Sequence, residues 1–165
     1  LARGANFKCV LSNIAIEDKY IKSESMAGRM SERLMAIVAE GKNGRVYLDP
    51  TELHQHIAHQ AVPAWKPDQP MSRDTRDLVS GRGYGFFTWA DIFTSRQLVA
   101  LTTFSDLVGE AREQVYQRAL DMGMSNDEIA IESGGNGAKA YADAVGVYLA
   151  FAQSKACNRN TSLCL

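Results

Sequence analysis

The sequence predicts an α+β fold: short strands and an antiparallel β hairpin at the N-terminus, then a mainly helical C-terminal half with two long packed helices. Three observations predict it. Apolar runs of strand length flank Gly41-Lys42-Asn43-Gly44. Apolar residues recur at three- and four-residue steps from Leu101 to Ala119. A second helical run, from Ala138 to Ala156, follows a glycine-rich loop. The 165 residues, 45% hydrophobic and 22% charged, suit one domain over 1–165. Within it, 1–50 is β-rich, 51–87 holds a short helix and an irregular loop, and 88–165 is helical. A chain of this size buries roughly 70% of the surface its unfolded form exposes.

Phe7 to Leu11 and Tyr20 to Ser23 read as brief strands. Arg33 to Glu40 then pairs with Arg45 to Leu48 across the glycine-flanked loop, where glycine supplies the positive φ that a tight turn needs. Glu52 to Ala61 reads as a helix, with either Asp49 or Thr51 as its cap and Pro50 in the first turn. Pro63, Pro67 and Pro70 break periodicity before Gly81-Arg82-Gly83-Tyr84-Gly85. Trp89 to Phe93 forms a short turn, and Thr94 or Ser95 caps a helix that runs to about Met122. Its stripe is Leu101, Phe104, Leu107, Val108, Ala111, Val115 and Ala119, and Gly123 stands where a helix end favours glycine. The last helix is expected to bury Tyr141, Ala142, Val145, Leu149 and Ala152, its small residues allowing a close approach to the first.

Charge and cysteine usage narrow the function classes. The net charge is −1, which excludes a uniformly basic nucleic-acid binder and leaves room for a local patch. Residues 1–100 carry 13 basic and 11 acidic side chains, and 101–165 carry 5 and 8, so an anion-binding face is expected in the first part. No apolar run reaches the roughly 18 residues of a membrane span, so no membrane partner is expected. Cys9, Cys157 and Cys164 form no disulfide framework and fit a reducing cytoplasm. Leu1 in place of a start methionine, and an apolar end at Ser162-Leu163-Cys164-Leu165, give the expectation of a piece of a longer chain.

Four patterns invite chemistry. Glu132-Ser133-Gly134-Gly135-Asn136-Gly137 follows Ile129-Ala130-Ile131 and precedes a helix, as in a nucleotide-binding turn. No run of parallel strands accompanies it, and a linker ending in a helix cap is the plainer reading. Arg82 and Tyr84 offer a phosphate contact and a stacking face, the alternative being a turn with Tyr84 on Phe86, Phe87 and Trp89. His54, His56 and His59 share one helix but lack the i,i+4 pair of helical zinc sites. Cys9-Val10-Leu11-Ser12 has zinc-knuckle spacing with serine in place of the second thiolate, and a hydroxyl is a poor zinc ligand. Glu110, Arg112 and Glu113 read as a charged helix face, and no catalytic set stands out.

Several runs, taken together and in order over nearly all 165 residues, carry a resemblance. They are Tyr20 to Glu24, Gly28 to Gly41, Gly44 to Leu48, Tyr84-Gly85, Trp89 to Phe93, Arg96 to Glu113 (RQLVALTTFSDLVGEARE), Gly134 to Val145 and Ser162-Leu163-Cys164. The chain resembles the central region of the large adenine-specific DNA methylases, many of which carry a zinc ribbon. The resemblance implies a parent enzyme that moves a methyl group from S-adenosylmethionine to the exocyclic amine of a flipped adenine. It places the cofactor motif upstream of this region and the Asp-Pro-Pro-Tyr catalytic motif downstream, so this chain is expected to hold no catalytic, cofactor-binding or metal residue of its own. Asp49-Pro50-Thr51 is only an echo of the latter. Ser12 departs from the ribbon pattern, and no zinc is expected here. The implied partners are DNA, through the parent, and the flanking methyltransferase domain. Arg29, Arg33, Arg45, Arg82 and Tyr84 are the candidate DNA contacts; the alternative is a structural or interaction module without DNA contact.

Overall fold

The computed structural model describes residues 7–71 and 83–161. Two compact units emerge, one of 1–60 with 67–92 and one of 61–66 with 93–165.

In the first unit, β1 (Phe7–Lys8) and β2 (Ala15–Ile16) form a minimal antiparallel pair. The chain between them turns back on itself through Cys9 N–H to the Ile14 carbonyl and Asn13 N–H to the Cys9 carbonyl. Helix α1 (Asp18–Met26) follows and corrects the strand expected over Tyr20 to Ser23. The local chemistry favours the helix: Asp18 pairs with Lys22 one turn on, at 2.6 Å, and Gly28 (φ 68°) ends it. Gly28 N–H bonds the Ser25 carbonyl and Arg29 N–H the Glu24 carbonyl, the paired bonds of a Schellman end.

The hairpin falls where expected, shortened at its start. β3 (Ile37–Gly41) pairs with β4 (Gly44–Leu48), Ile37 opposite Leu48 and Gly41 opposite Gly44. Residues 33–36 lie outside the strand, and only Lys42 and Asn43 form the turn. The positive φ of that turn falls on Gly44, at 120°. α2 (Glu52–His59) is capped by Thr51, which settles the choice against Asp49. The ends of the stretch around 72–82 are stitched together by Met71 N–H to the Phe87 carbonyl, Trp89 N–H to the Gln69 carbonyl and Ala90 N–H to the Pro67 carbonyl. Met71 and Ala90 are buried there.

The second unit is built on α3 (Ser95–Asp121) and α4 (Ala138–Arg159). Thr94 caps α3 in a capping box: its hydroxyl accepts from Gln97 N–H, and its own N–H donates to the Gln97 side chain at 2.8 Å. Arg112 reaches Asp143, and Gln153 donates to the Leu101 carbonyl, so the helices run antiparallel. The buried residues are Ala138, Ala140, Ala142 and Gly146 on α4 and Leu98, Leu101, Thr102 and Ala119 on α3; Ala138, Ala142 and Gly146, one turn apart, form the α4 seam, with Gly146 on Arg112. Part of the expected stripe stays uncovered: Phe104 is 56% exposed, Leu107 is also exposed, and Tyr141 lies outside the seam. Phe104 and Leu107, with Val108, Ala111, Leu149 and Ala152, line an apolar groove of about 430 Å³. Trp65 Nε1 donates to the Asp106 carboxylate at 3.1 Å and ties 61–66 to α3. Among the described residues no helix is long and apolar enough to cross a membrane.

Candidate nucleic-acid interface

The candidate arginines differ in how free they are. Arg29 forks onto Glu24, Nε to Oε2 and Nη2 to Oε1, both at 2.7 Å. That pairing holds the Glu24 carboxyl below the usual carboxylate range and locks the guanidinium at the C-terminal end of α1. Arg33, in the extended lead to β3, and Arg45, in β4 opposite Glu40, are exposed; among the described residues neither has a hydrogen-bond or ion-pair partner. Arg82 lies outside the described residues.

Tyr84 is placed where no local signal pointed. Its carbonyl accepts from Ser25 Oγ at 2.5 Å, its hydroxyl lies 3.4 Å from Asp18 Oδ1, and Lys22 Nζ sits 5.7 Å from its ring centroid. The neighbouring Gly85 (φ 80°) has no room for a Cβ, which would come to 2.9 Å from the Ser25 carbonyl oxygen. The 83–85 strap is thus seated on α1, the element that also holds Arg29. Sequence reasoning missed Lys22 here, since its partner is 62 positions away.

The glycine-rich loop is a chain reversal. Ile131–Ser133 forms one 3-10 turn; Gly134 (φ 80°) ends it, its N–H bonding the Ile131 carbonyl and Gly135 N–H the Ala130 carbonyl. Ala138 N–H, at the start of α4, bonds the Ser125 carbonyl at 2.8 Å. These donors, which a phosphate would need, are spent within the chain. A Cβ on Gly135 or Gly137 would overlap the 125–130 segment, so close approach of backbone to backbone accounts for both glycines.

Beside this loop, Arg112 Nε donates to Asp143 Oδ1 at 2.8 Å and Lys139 Nζ lies 3.5 Å from Oδ2. Arg112 first, then the Ile131 N–H and last Lys139, keep the Asp143 carboxyl below its ordinary range against the opposing effect of burial. Gly146 makes this possible, because the Arg112 stem passes 3.3 Å from where its Cβ would be. Tyr116, bonded to Glu128 at 2.9 Å, has its hydroxyl pKa raised by that carboxylate. These contacts make Arg112 a pin between the two helices.

Two of the three histidines are engaged locally: His54 Nδ1 accepts from the Thr51 N–H at 3.1 Å, and His56 Nε2 meets Gln60 Nε2 at 2.9 Å. Among the described residues no group of three His, Cys, Asp or Glu side chains is placed to hold a metal ion. The knuckle shape itself is present. The Ser12 hydroxyl first, then the N–H groups of Ser12 and Leu11, hold the Cys9 sulfur and pull its pKa below the ordinary thiol value. Cys157, in contrast, is pushed up by burial. In a Cys164→Ser background, iodoacetamide at pH 7 is therefore expected to label Cys9 several-fold faster than Cys157, and Cys9 labelling should persist to lower pH than for a free thiol. Peptide mass spectrometry reads the two rates, and Ser12→Ala should slow the first; equal rates would refute the assignment.

No protein-family model, curated protein or solved structure matches the chain.

Proposed function

We propose that this chain is the non-catalytic central region of an S-adenosylmethionine-dependent DNA adenine methyltransferase, working in the cytoplasm and helping to shape the DNA-binding cleft. The methyltransferase part of the reading rests on the resemblance carried by the runs from Tyr20 to Cys164. The observation that carries the scaffold part is the apolar surface that nearly every element leaves open. Val10 is 98% and Leu11 94% exposed at one loop, Leu53 and Ile57 are exposed on α2, and Phe104 and Leu107 on α3. Patches of this kind fit a region that packs against a flanking domain. Arg33 and Arg45, whose side chains have no partner among the described residues, are available for phosphates, whereas Arg29, held by Glu24, is better suited to fixing α1 than to gripping DNA. Phosphate contacts would orient the duplex without reading its sequence. The cofactor belongs to the flanking domain in this reading, since the N–H groups of Gly134, Gly135 and Ala138 already bond within the chain.

Two measurements test it. A polypeptide joining this region to its flanking sequence should transfer tritiated methyl groups from S-adenosylmethionine to duplex DNA and yield N6-methyladenine on digestion. Anisotropy of a labelled duplex with that polypeptide should weaken steeply with salt, and Arg33→Ala with Arg45→Ala should flatten the dependence. Absence of methyl transfer would overturn the enzyme assignment. The second reading, an interaction module with no DNA contact, is favoured by the same open apolar faces, and it gains if no binding occurs even at low salt.

A further inference from the structure

In the capping box that starts α2, His54 fills the third helical position, where glutamate or glutamine is usual. Its neutral Nδ1 accepts from Thr51 N–H at 3.1 Å, and its own N–H donates to Thr51 Oγ1 at 3.4 Å. A proton on Nδ1 turns that acceptor into a donor. The partner is a backbone N–H, which only donates, so the bond cannot be remade in reverse. Thr51 Oγ1, 3.2 Å from Nδ1, is in reach of the new proton, yet Thr51 N–H loses its acceptor all the same. His56 is the contrast. Its Nε2 meets the Gln60 side-chain amide at 2.9 Å, and an amide that turns over presents its oxygen to a protonated ring. The helix dipole acts in the same sense, since a cation is disfavoured in the first turn, at His54, and favoured in the last, at His56 and His59.

We propose that α2 is a pH-sensitive element, in which protonation of His54 opens the capping box and frays the first turn while the last turn holds. Imidazole changes charge between about pH 5 and 8, where the glutamate or glutamine of an ordinary box does not. The neutral ring is the form that caps, so its contribution is present above the histidine range and is lost as the pH falls through it. An isolated eight-residue helix is marginal in water, and no other helix or strand packs broadly on α2, so the loss of one cap is felt in its first turn. The other titratable groups of the helix and its lead-in are Asp49 and Glu52 near the first turn and His56 and His59 in the last. Leu53 lies in the turn that opens and is exposed, as is Ile57 one turn on, so acid would also break the register of this apolar pair.

The test is a pH titration of the whole chain by nuclear magnetic resonance, reading the α-carbon shifts of α2 and the ring protons of its histidines from about pH 8 to about pH 5.5. The helical shifts of Glu52, Leu53 and His54 are expected to fall by roughly half, in step with the His54 ring, while those of Ile57, Ala58 and His59 hold. His54→Gln keeps a box of the ordinary kind without a titrating group, so its first turn should stay helical at both ends of the range. His54→Ala removes the side-chain acceptor, and its first turn should be frayed at both. An unchanged first turn in the parent protein at the acid end, or an equal fall in His54→Gln, would overturn the assignment. Loss of helical shifts along all of α2 at once would overturn it too, because the proposal confines the change to the end that His54 caps.

Discussion

Gly135→Ala is expected to destabilise the second unit by about 3 kcal/mol, the cost of forcing a methyl group into backbone that has no freedom to move. The Cβ would overlap the Ile129 carbonyl oxygen and crowd that of Ala130, both backbone atoms. Neither can retreat cheaply, because the Ala130 carbonyl already accepts from Gly135 N–H and Ser133 N–H. Two neighbouring glycines calibrate the result. Gly134 is open around its Cβ position but has φ 80°, so Gly134→Ala should cost only about 1 kcal/mol of backbone strain. Gly109 lies inside α3 with nothing near its Cβ position, so Gly109→Ala should stabilise by about 0.5–1 kcal/mol through helix propensity. Urea unfolding followed by circular dichroism reads all three midpoints. The ranking 135 below 134 below 109 is the prediction, and a Gly135→Ala midpoint within error of the parent would refute the close-approach account.

Such contrasts separate what was legible in the sequence from what was not. The long helices were legible because their signals are local and redundant: a threonine with glutamine three positions on, a 3.6-residue apolar period, and Gly123 at the end. The hairpin was legible for the same reason, two glycines between apolar runs, although its first four expected residues do not pair. Helix α1 was missed because Tyr20-Ile21-Lys22-Ser23 has strand-like composition. The contrary signs, Asp18 before Lys22 and Gly28 past the end, were weaker than the residue types. The site divides in the same way. Whether an exposed arginine is free depends on its neighbours, and Arg29 has Glu24 five residues away in reach of a fork, a pairing that helix geometry shows and spacing alone does not. Tyr84, read either as a stacking face for nucleic acid or as packed on Phe86, Phe87 and Trp89, is found on Asp18, Lys22 and Ser25. Contacts over such separations leave no periodic trace. The glycine-rich loop shows the limit most clearly, since the same residues suit a phosphate cradle or a chain reversal, and only the direction of the N–H groups distinguishes them.

Ala142→Leu is the second large effect, also about 3 kcal/mol, and it tests how the two long helices are held together. Ala142 is among the most buried residues on the α4 seam, with Ala138 one turn before it and Gly146 one turn on. Small residues in this row let the α4 backbone come close to α3, and that closeness lets Arg112 reach Asp143 over Gly146. A leucine at 142 would push into the polar pocket of about 190 Å³ that Ala142 lines with Arg112, Tyr116 and Lys139, so it must displace those side chains or drive the helices apart. Separation would lengthen the Arg112–Asp143 contact, and the Asp143 carboxyl would then lose the partner that lowers its pKa. With the pair intact, the depressed folded pKa adds stability that is present above the ordinary carboxylate range and is lost as the pH falls through the folded value. The variant should therefore melt on the order of 10 °C lower near neutral pH, and the gap to the parent should narrow in acid as the parent loses the same contribution. Leu149→Ala makes the comparison, since Leu149 borders the open groove and lies outside the seam; its cost should be below about 1.5 kcal/mol. If Ala142→Leu proves as mild as Leu149→Ala at both pH values, the helices are held by their apolar stripes, and the small-residue seam does not set their spacing.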